Sequence, residues 1–415
     1  MSSAIPSTST LNKIPKVVVE RKLKDRLGRV SNSQVTVPAH QLSNVDHTEI
    51  VYTQSMKGCP KNLFRNNGAK FSATLEQKSF VKMLSATIKI QLSHENGGDQ
   101  GTATLKVAAS TYWFHRIEFR SSDGSKHMNI LYDDNLHFAL CTSENNVFKS
   151  TKNLIGLTST YWQSELKAND TRYLPLLGSW IENVDLWFRN IEGDIVVDFY
   201  PRSQLIVSGL DGVINVESMD FVIQTEQLSD HDMQIQTRFH NQFASEHNFL
   251  DTVPVNFYNY KLQGGATSKF ELDAVTGDIA FLVMYIKALD NTNPITHVPL
   301  GDDTRIDVLS PGSKSILGSG TGIELGYLRN KILPTHFHND FFVDFKNVIV
   351  IPFCSSVSKS MFGVKSGSMY FDGSRQYLSL TPGSDFGTDN YNICIYAYKF
   401  ATLLNNKGHL SIHSS

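Results

Sequence analysis

The stretch Leu84-Ser-Ala-Thr-Ile-Lys-Ile-Gln-Leu92 alternates without a break. Leu84, Ala86, Ile88, Ile90 and Leu92 fall on one side; Ser85, Thr87, Lys89 and Gln91 fall on the other. Successive side chains of a strand point to opposite faces, so this pattern describes a strand with one face on a core and one in water. A helix would need its apolar residues three and four positions apart. The same alternation returns at His115/Ile117/Phe119 against Arg116/Glu118/Arg120, and at Val184/Leu186/Phe188. It returns again at Ile195/Val197/Phe199 and at Met219/Phe221/Ile223.

Beyond residue 250 the strands become more apolar. Ile279–Leu289 is apolar on both faces apart from Lys287, which describes a central strand. Phe341–Phe353 and Ile393–Phe400 are the other strong strand candidates. Turn signals punctuate the chain at Asn96-Gly97, Asp123-Gly124, Gly193-Asp194, Asp211-Gly212, Gly277-Asp278 and Asp372-Gly373. Helical periodicity is scarce, with Tyr161–Ala168 and Ser229–Phe243 the candidate short helices of the body. Many strands, Gly/Asp turns and few helices predict β-sandwiches or jelly rolls.

At 415 residues the chain has room for two domains, each of roughly 150–200 residues. A long-range echo agrees with two copies of one architecture. Lys70-Phe71 and Ile88-Lys89 are answered by Lys269-Phe270 and Ile286-Lys287, and Ile195–Phe199 by Phe341–Phe345. With 25 Phe and 15 Tyr there is ample material for large cores, while charged residues are only 19%. Such a surface is polar but weakly charged, which suits repeated contact with other protein. A net charge of −2 excludes the chain as a whole from electrostatic nucleic-acid binding.

The charge is concentrated near the start. Lys13, Lys16, Arg21, Lys22, Lys24, Arg26 and Arg29 stand against only Glu20 and Asp25. Val19, Leu23, Leu27 and Val30 recur among them with the spacing of one helix face, with Pro15 as a possible start and Gly28 weakening it. The first 60 residues read as an arm.

Signals for chemistry are weak. The pair His336-Phe-His338 would project to one side of a strand, as in the metal site of a cupin, but no Glu follows it. Loop histidines after Pro334 are the simpler reading. Gly318-Ser-Gly-Thr-Gly322 lacks the Lys of a phosphate loop. Asp133-Asp134, Asp302-Asp303 and Asp230 with Asp232 are acid pairs that could take Ca²⁺, but they read as solvated turn acids. Trp113, Trp162, Trp180 and Trp187 are candidates for a sugar platform or, with strands beside them, for core and interface. Cys59, Cys141, Cys354 and Cys394 have no ligand spacing and read as reduced thiols, Cys394 as a buried one, implying synthesis in a reducing compartment of the host cell. No apolar run reaches the ~18 residues of a membrane span, no signal peptide is evident, and the Asn169-Asp170-Thr171 sequon reads as chance.

Three stretches carry a resemblance. Arg116-Ile-Glu-Phe-Arg-Ser-Ser-Asp-Gly124 with Asn135-Leu-His-Phe138 is similar to an early strand pair. Arg172-Tyr-Leu-Pro-Leu-Leu-Gly-Ser-Trp180 is similar to an aromatic, proline-bearing segment before later strands. Ser368-Met-Tyr-Phe-Asp-Gly373 with Tyr391–Tyr398 is similar to closing strands. Together they resemble the double jelly-roll major capsid proteins of icosahedral viruses, the lineage of tailless internal-membrane phages and eukaryotic DNA viruses.

The resemblance implies two tandem eight-stranded jelly rolls with an N-terminal arm and few short helices. The expected division is an arm at 1–60, a first roll at 61–228, a linker at 229–250, a second roll at 251–400 and a tail at 401–415. It implies a virion structural protein with no catalytic, cofactor or metal residues. Homotrimeric, pseudo-hexagonal capsomers would contact neighbouring capsomers, penton proteins and minor capsid proteins. The arm's basic residues would meet an internal lipid membrane or the genome. Two rival readings stand beside it: a carbohydrate-binding, lectin-like β-sandwich, and a cupin-type metalloenzyme.

Overall fold

The structure is a computed structural model. It describes residues 48–64, 69–76, 83–95, 103–105, 110–122, 127–142, 164–166, 169–177, 188–202, 213–242, 244–289, 297–312, 314–317, 322–337, 347–361 and 363–414.

In the first half, β1 (Thr48–Ser55), β10 (Val213–Gln227), β3 (Met83–Glu95) and β8 (Asn169–Pro175) form one sheet in the order β1-β10-β3-β8. Against it stands β2-β9-β5-β6, made of β2 (Phe71–Leu75), β9 (Ile195–Pro201), β5 (Phe114–Ser121) and β6 (His127–Tyr132). The second half repeats the plan. Its larger sheet runs β11-β20-β13-β17, from β11 (Ser245–Leu262), β20 (Asp389–Asn406), β13 (Thr276–Ala288) and β17 (Ile349–Pro352). Its other sheet runs β12-β19-β14-β15, from β12 (Ser268–Glu271), β19 (Tyr377–Thr381), β14 (Arg305–Ser310) and β15 (Lys314–Ser315).

Counted in chain order within each half, the eight sandwich strands read 1-8-3-6 in one sheet and 2-7-4-5 in the other, and both halves give the same two orders. The paired strands are antiparallel throughout. Each half is therefore a jelly roll, whose first and last strands lie side by side. The echo in the sequence has a structural meaning at two of its three points. Phe71 and Phe270 lie on the second strand of their rolls, Ile88 and Ile286 on the third. The third point does not match: the partner of β9 in the second roll is β19, and residues 341–345 lie outside the described residues.

Alternation explains the first core. Ile88, Ile90 and Leu92 of β3 with Phe221 and Ile223 of β10 lie in one cluster with Ile117 and Phe119 of β5 and Val197 and Phe199 of β9. Phe199 anchors it, its ring 5.9 Å from that of Phe71 and 5.4 Å from that of Phe114. The opening stretch of the sequence needs one amendment. The pairing of β3 with β10 slips between Ser85 and Met83, a bulge that changes the phase and places Met83 in the core.

Several expectations are corrected. Thr48–Ser55, assigned to the arm, pairs along its whole length with β10 and is the first strand of the first roll. Asn135–Phe138 is no strand but part of helix α1 (Asp133–Cys141). Within Tyr161–Ala168 the described Ser164–Leu166 is strand β7, paired with β4 (Ala103–Leu105), not helix. Gly277-Asp278 lies inside β13, because Met369–Asp372 (β18) pairs with that end of it. Phe188 opens a short 3₁₀ turn, Phe188–Asn190, while Val184 and Leu186 lie outside the described residues. Of Phe341–Phe353, Ile349–Pro352 is strand and 341–346 are outside the described residues.

The linker at 229–250 holds helix α2 (Asp230–Gln242), capped by Ser229, whose hydroxyl accepts the Asp232 N–H at 3.2 Å. At Ser245 the first strand of the second roll has already begun. The expected tail at 401–415 is not a tail. Strand β20 runs on to Asn406, turns at Lys407-Gly408, and returns as β21 (His409–Ser414). Both turn residues have positive φ, 55° and 99°, as a two-residue type I′ hairpin turn requires.

Candidate functional site at the junction of the two rolls

Strand β13 is buried on both faces, and the reason lies outside its own roll. One row, Leu282, Met284 and Ile286, pairs with Ala397, Ile395 and Ile393 of β20 over the core of the second roll. The opposite row holds Phe281, Tyr285 and Lys287, flanked on β20 by Tyr398, Tyr396 and Cys394. Helix α1 of the first roll covers this row. Phe138 of α1 belongs to the second core and sits 6.1 Å from Phe281 and 5.8 Å from Tyr398, which themselves stack at 4.4 Å.

The exchange is reciprocal. Phe249 of β11 and Ala401 and Leu403 of β20 belong to the first core, with Leu410 and Ile412 of β21 packed against it. The hairpin turn also reaches the first roll: the Glu192 N–H donates to the Gly408 carbonyl at 3.0 Å, and His409 Nδ1 lies 3.1 Å from Glu192 Oε2. Each roll thus supplies part of the other's core.

A charged cluster lies in this seam. Asp134, in the first turn of α1, is fully buried. Its Oδ2 accepts from Lys287 Nζ at 2.6 Å and from the Tyr396 hydroxyl at 2.8 Å, and its Oδ1 lies 3.5 Å from His297 Nε2. His297 stacks on Tyr285 at 4.8 Å. The neighbouring Asp133 pairs with buried Arg202. Burial pushes the Asp134 carboxyl up, but the Lys287 ammonium and the His297 contact outweigh it and hold the group well below the usual carboxylate range. Burial pushes the Cys394 thiol up to about 11 and the Tyr396 and Tyr398 phenols well above their ordinary value.

A second charged group sits on the outer face of β9. Asp198 Oδ2 accepts from Arg120 Nε at 2.8 Å and Lys70 Nζ at 3.0 Å, and its Oδ1 from the Ser72 hydroxyl at 2.6 Å. Burial pushes this carboxyl up, yet the Arg120, Ser72 and Lys70 donors prevail and bring it down to about 2. Beside it, Arg116 lies over the Tyr200 ring at 4.2 Å and pairs with Glu118 at 2.7 Å.

The residues singled out in the sequence fare unevenly. Lys13, Lys16, Arg21, Lys22, Lys24, Arg26 and Arg29 lie outside the described residues. Asp133 and Asp134 are corrected from solvated turn acids to buried ion-pair partners. Asp302 takes a contact from Arg329 at 3.2 Å, and Asp232 belongs to the cap of α2. His336 ends a helical turn, Leu333–His336, so it does not stand on a strand as a cupin ligand would; His338 is outside the described residues. Trp113 is fully buried in the first core, and the other three tryptophans are outside the described residues. Among the described residues no group of three or more His, Cys, Asp or Glu side chains is placed to hold a metal ion. Lys287, His297 and Tyr396 were not picked out as site residues. The available signal was Lys287 itself, since a lone lysine in an apolar central strand needs a buried counter-ion.

No protein-family model and no curated protein matches the sequence. Solved structures do. PBCV-1 VP54 is 12% identical with a TM-score of 0.65, over 89% of this chain and 97% of that one. The chain has the double jelly-roll fold of viral major capsid proteins. The Faustovirus major capsid protein is 10% identical, over 98% of this chain and 95% of that one, with a TM-score of 0.60. A chain of the Sulfolobus Turreted Icosahedral Virus structure is 11% identical, over 84% and 90%, with a TM-score of 0.50. Both rolls and their junction are therefore parts of one double jelly-roll fold.

Proposed function

We propose that this double jelly-roll chain is a major capsid protein, a structural component of the virion with no catalytic role. The observation that carries the reading is the repeated 1-8-3-6/2-7-4-5 topology in two interlocked rolls, aligned with PBCV-1 VP54 over 97% of that chain. Two rolls fixed to one another form a rigid unit, and three such units around an axis give six rolls, a pseudo-hexagonal block able to tile a shell. Neighbouring capsomers, penton proteins and minor capsid proteins are the partners in this reading. The basic arm faces inward, where its cations meet an internal membrane or the genome.

Light scattering coupled to size exclusion, with negative-stain microscopy of the purified protein, tests the proposal. A homotrimer of hexagonal outline is the expected result. A clean monomer at micromolar concentration, or a sugar-binding monomer, overturns it.

A further inference from the structure

We infer that the outer edge of β1 is a docking surface for a second copy of this chain, the two β1 strands pairing antiparallel across a two-fold axis. The inference goes beyond the capsid reading, which names no contact surface, and does not depend on it.

Strands β1 and β11 hold the same place in the two rolls. Each is the first sandwich strand and lies at the outside of its 1-8-3-6 sheet. An open strand edge is a template for another strand, and proteins commonly blunt it with a proline, a bulge or a covering segment. Strand β11 has all three. Pro254 stands within it, and its pairing with β20 slips between Phe257 and Tyr260, around Asn259 at φ 52°. Gly363 lies so close over it that a Cβ there would collide with the Asn248 carbonyl. Strand β1 has neither proline nor bulge. Its register with β10 is unbroken from Thr48 to Ser55, and among the described residues no strand pairs with its other edge.

The phase of the ladder fixes which groups that edge offers. The Met56 N–H donates to the Met219 carbonyl at 2.9 Å, one step beyond the Ser55–Asp220 pair. Bonded pairs alternate along an antiparallel ladder. Even-numbered residues of β1 therefore turn their backbone groups to β10, and Glu49, Val51, Thr53 and Ser55 turn theirs outward. Val51 is 68% exposed, and Thr53 and Ser55 are exposed beside it.

The strand fits its own copy. With the axis at Tyr52, Val51 of each copy stands opposite Thr53 of the other, and Glu49 opposite Ser55. These are the bonded pairs, formed from the groups that point outward. Val51 with Thr53 is a β-branched cross-strand pair, and Glu49, the one charged residue of β1, meets no like charge. The four-stranded sheet of one copy then runs on into that of the other. A contact made by the same patch on both sides closes after two copies, so the open edge joins chains without building a fibre.

The test uses the full chain. Thr53→Pro deletes an N–H that points away from β10, so the variant should keep its fold and melt like the wild type. Sedimentation across micromolar concentrations should show the wild-type unit in equilibrium with its double. The variant loses one hydrogen bond from each copy and should double about tenfold more weakly. Whether the unit that doubles is a monomer or a trimer reports separately on the capsid reading. Tyr52→Cys supplies a second readout: it sets two thiols across the axis with Cα atoms about 4.5 Å apart, within disulfide reach. Mild oxidation should yield a covalent dimer that the wild type does not form. A wild-type chain that never doubles, doubling unchanged in Thr53→Pro, or no covalent dimer from Tyr52→Cys overturns the inference. Hydrogen-exchange protection of Val51 and Thr53 that is independent of concentration does so too, since the edge would already be filled within the unit.

Discussion

Lys287 Nζ lies 2.6 Å from Asp134 Oδ2, and this contact joins the third strand of the second roll to the first helix of the other. Both side chains are buried, at 9% and 0% exposure, so neither can be left alone without a large desolvation penalty. Asp134→Leu or Lys287→Met should each cost about 3–5 kcal/mol of stability, because each strands the opposite charge in the seam. The paired replacement Asp134→Leu with Lys287→Met should recover much of that loss. Denaturant melts of the four proteins form the cycle; additive losses would mean that the contact contributes no coupling.

The hairpin that ends the chain completes a core that begins near residue 50. Leu403 is fully buried in the first roll's cluster, and Leu410 and Ile412 pack against it. Leu403→Ala should cost about 2–5 kcal/mol, the range for truncating a buried leucine. Removing residues 407–415 should expose the first roll to protease although the cut lies in the second. Equal protease resistance of the truncated and full-length chains would show that the hairpin is an appendage.

Asp198 sets a separate acid limit. Its folded-state pKa of about 2 lies below the ordinary carboxylate value, so its contribution is complete above about pH 4 and is lost as pH falls toward 2. Asp198→Ala strands Arg120 and Lys70 on a sheet face and should cost about 1–3 kcal/mol at neutral pH. Thermal melts from pH 7 to pH 2 should show the variant's curve flattening in the lowest two units relative to the wild type.

The arm is expected to separate folding from assembly. Deleting residues 1–30 should leave both rolls folded, with β1 at Thr48–Ser55 retained whole. Particles should then fail to form or form with errors. Neutralising Arg21, Lys22, Lys24 and Arg26 together should reproduce part of the defect in a salt-dependent manner, at about 1 kcal/mol for each cation at an anionic surface. Shells of normal size and yield from the shortened chain would assign the arm no role in assembly.

Local patterning determined much of this protein. The period of two around Ile88 and Ile90, around Val197 and Phe199, and around Phe221 and Ile223 describes strands whatever they pair with, because side-chain alternation belongs to the extended backbone itself. The uniform apolarity of Ile279–Ile286 likewise announced a strand covered on both sides. Which surfaces cover it was decided only in three dimensions. Asp133-Asp134 has the composition of a solvated turn, and its burial depends on Tyr396, 262 residues away from Asp134, and on Lys287 from the other roll. Thr48–Ser55 is rich in strand formers at Ile50, Val51, Tyr52 and Thr53, but Ile50 and Val51 are both exposed, so no apolar alternation marks the strand and its place is set by its pairing to β10. The last residues were legible as polar and terminal, yet the first roll's core needs them. Hydrophobic periodicity records which face of an element is buried, whereas the partner that buries it is set by chain closure over long separations.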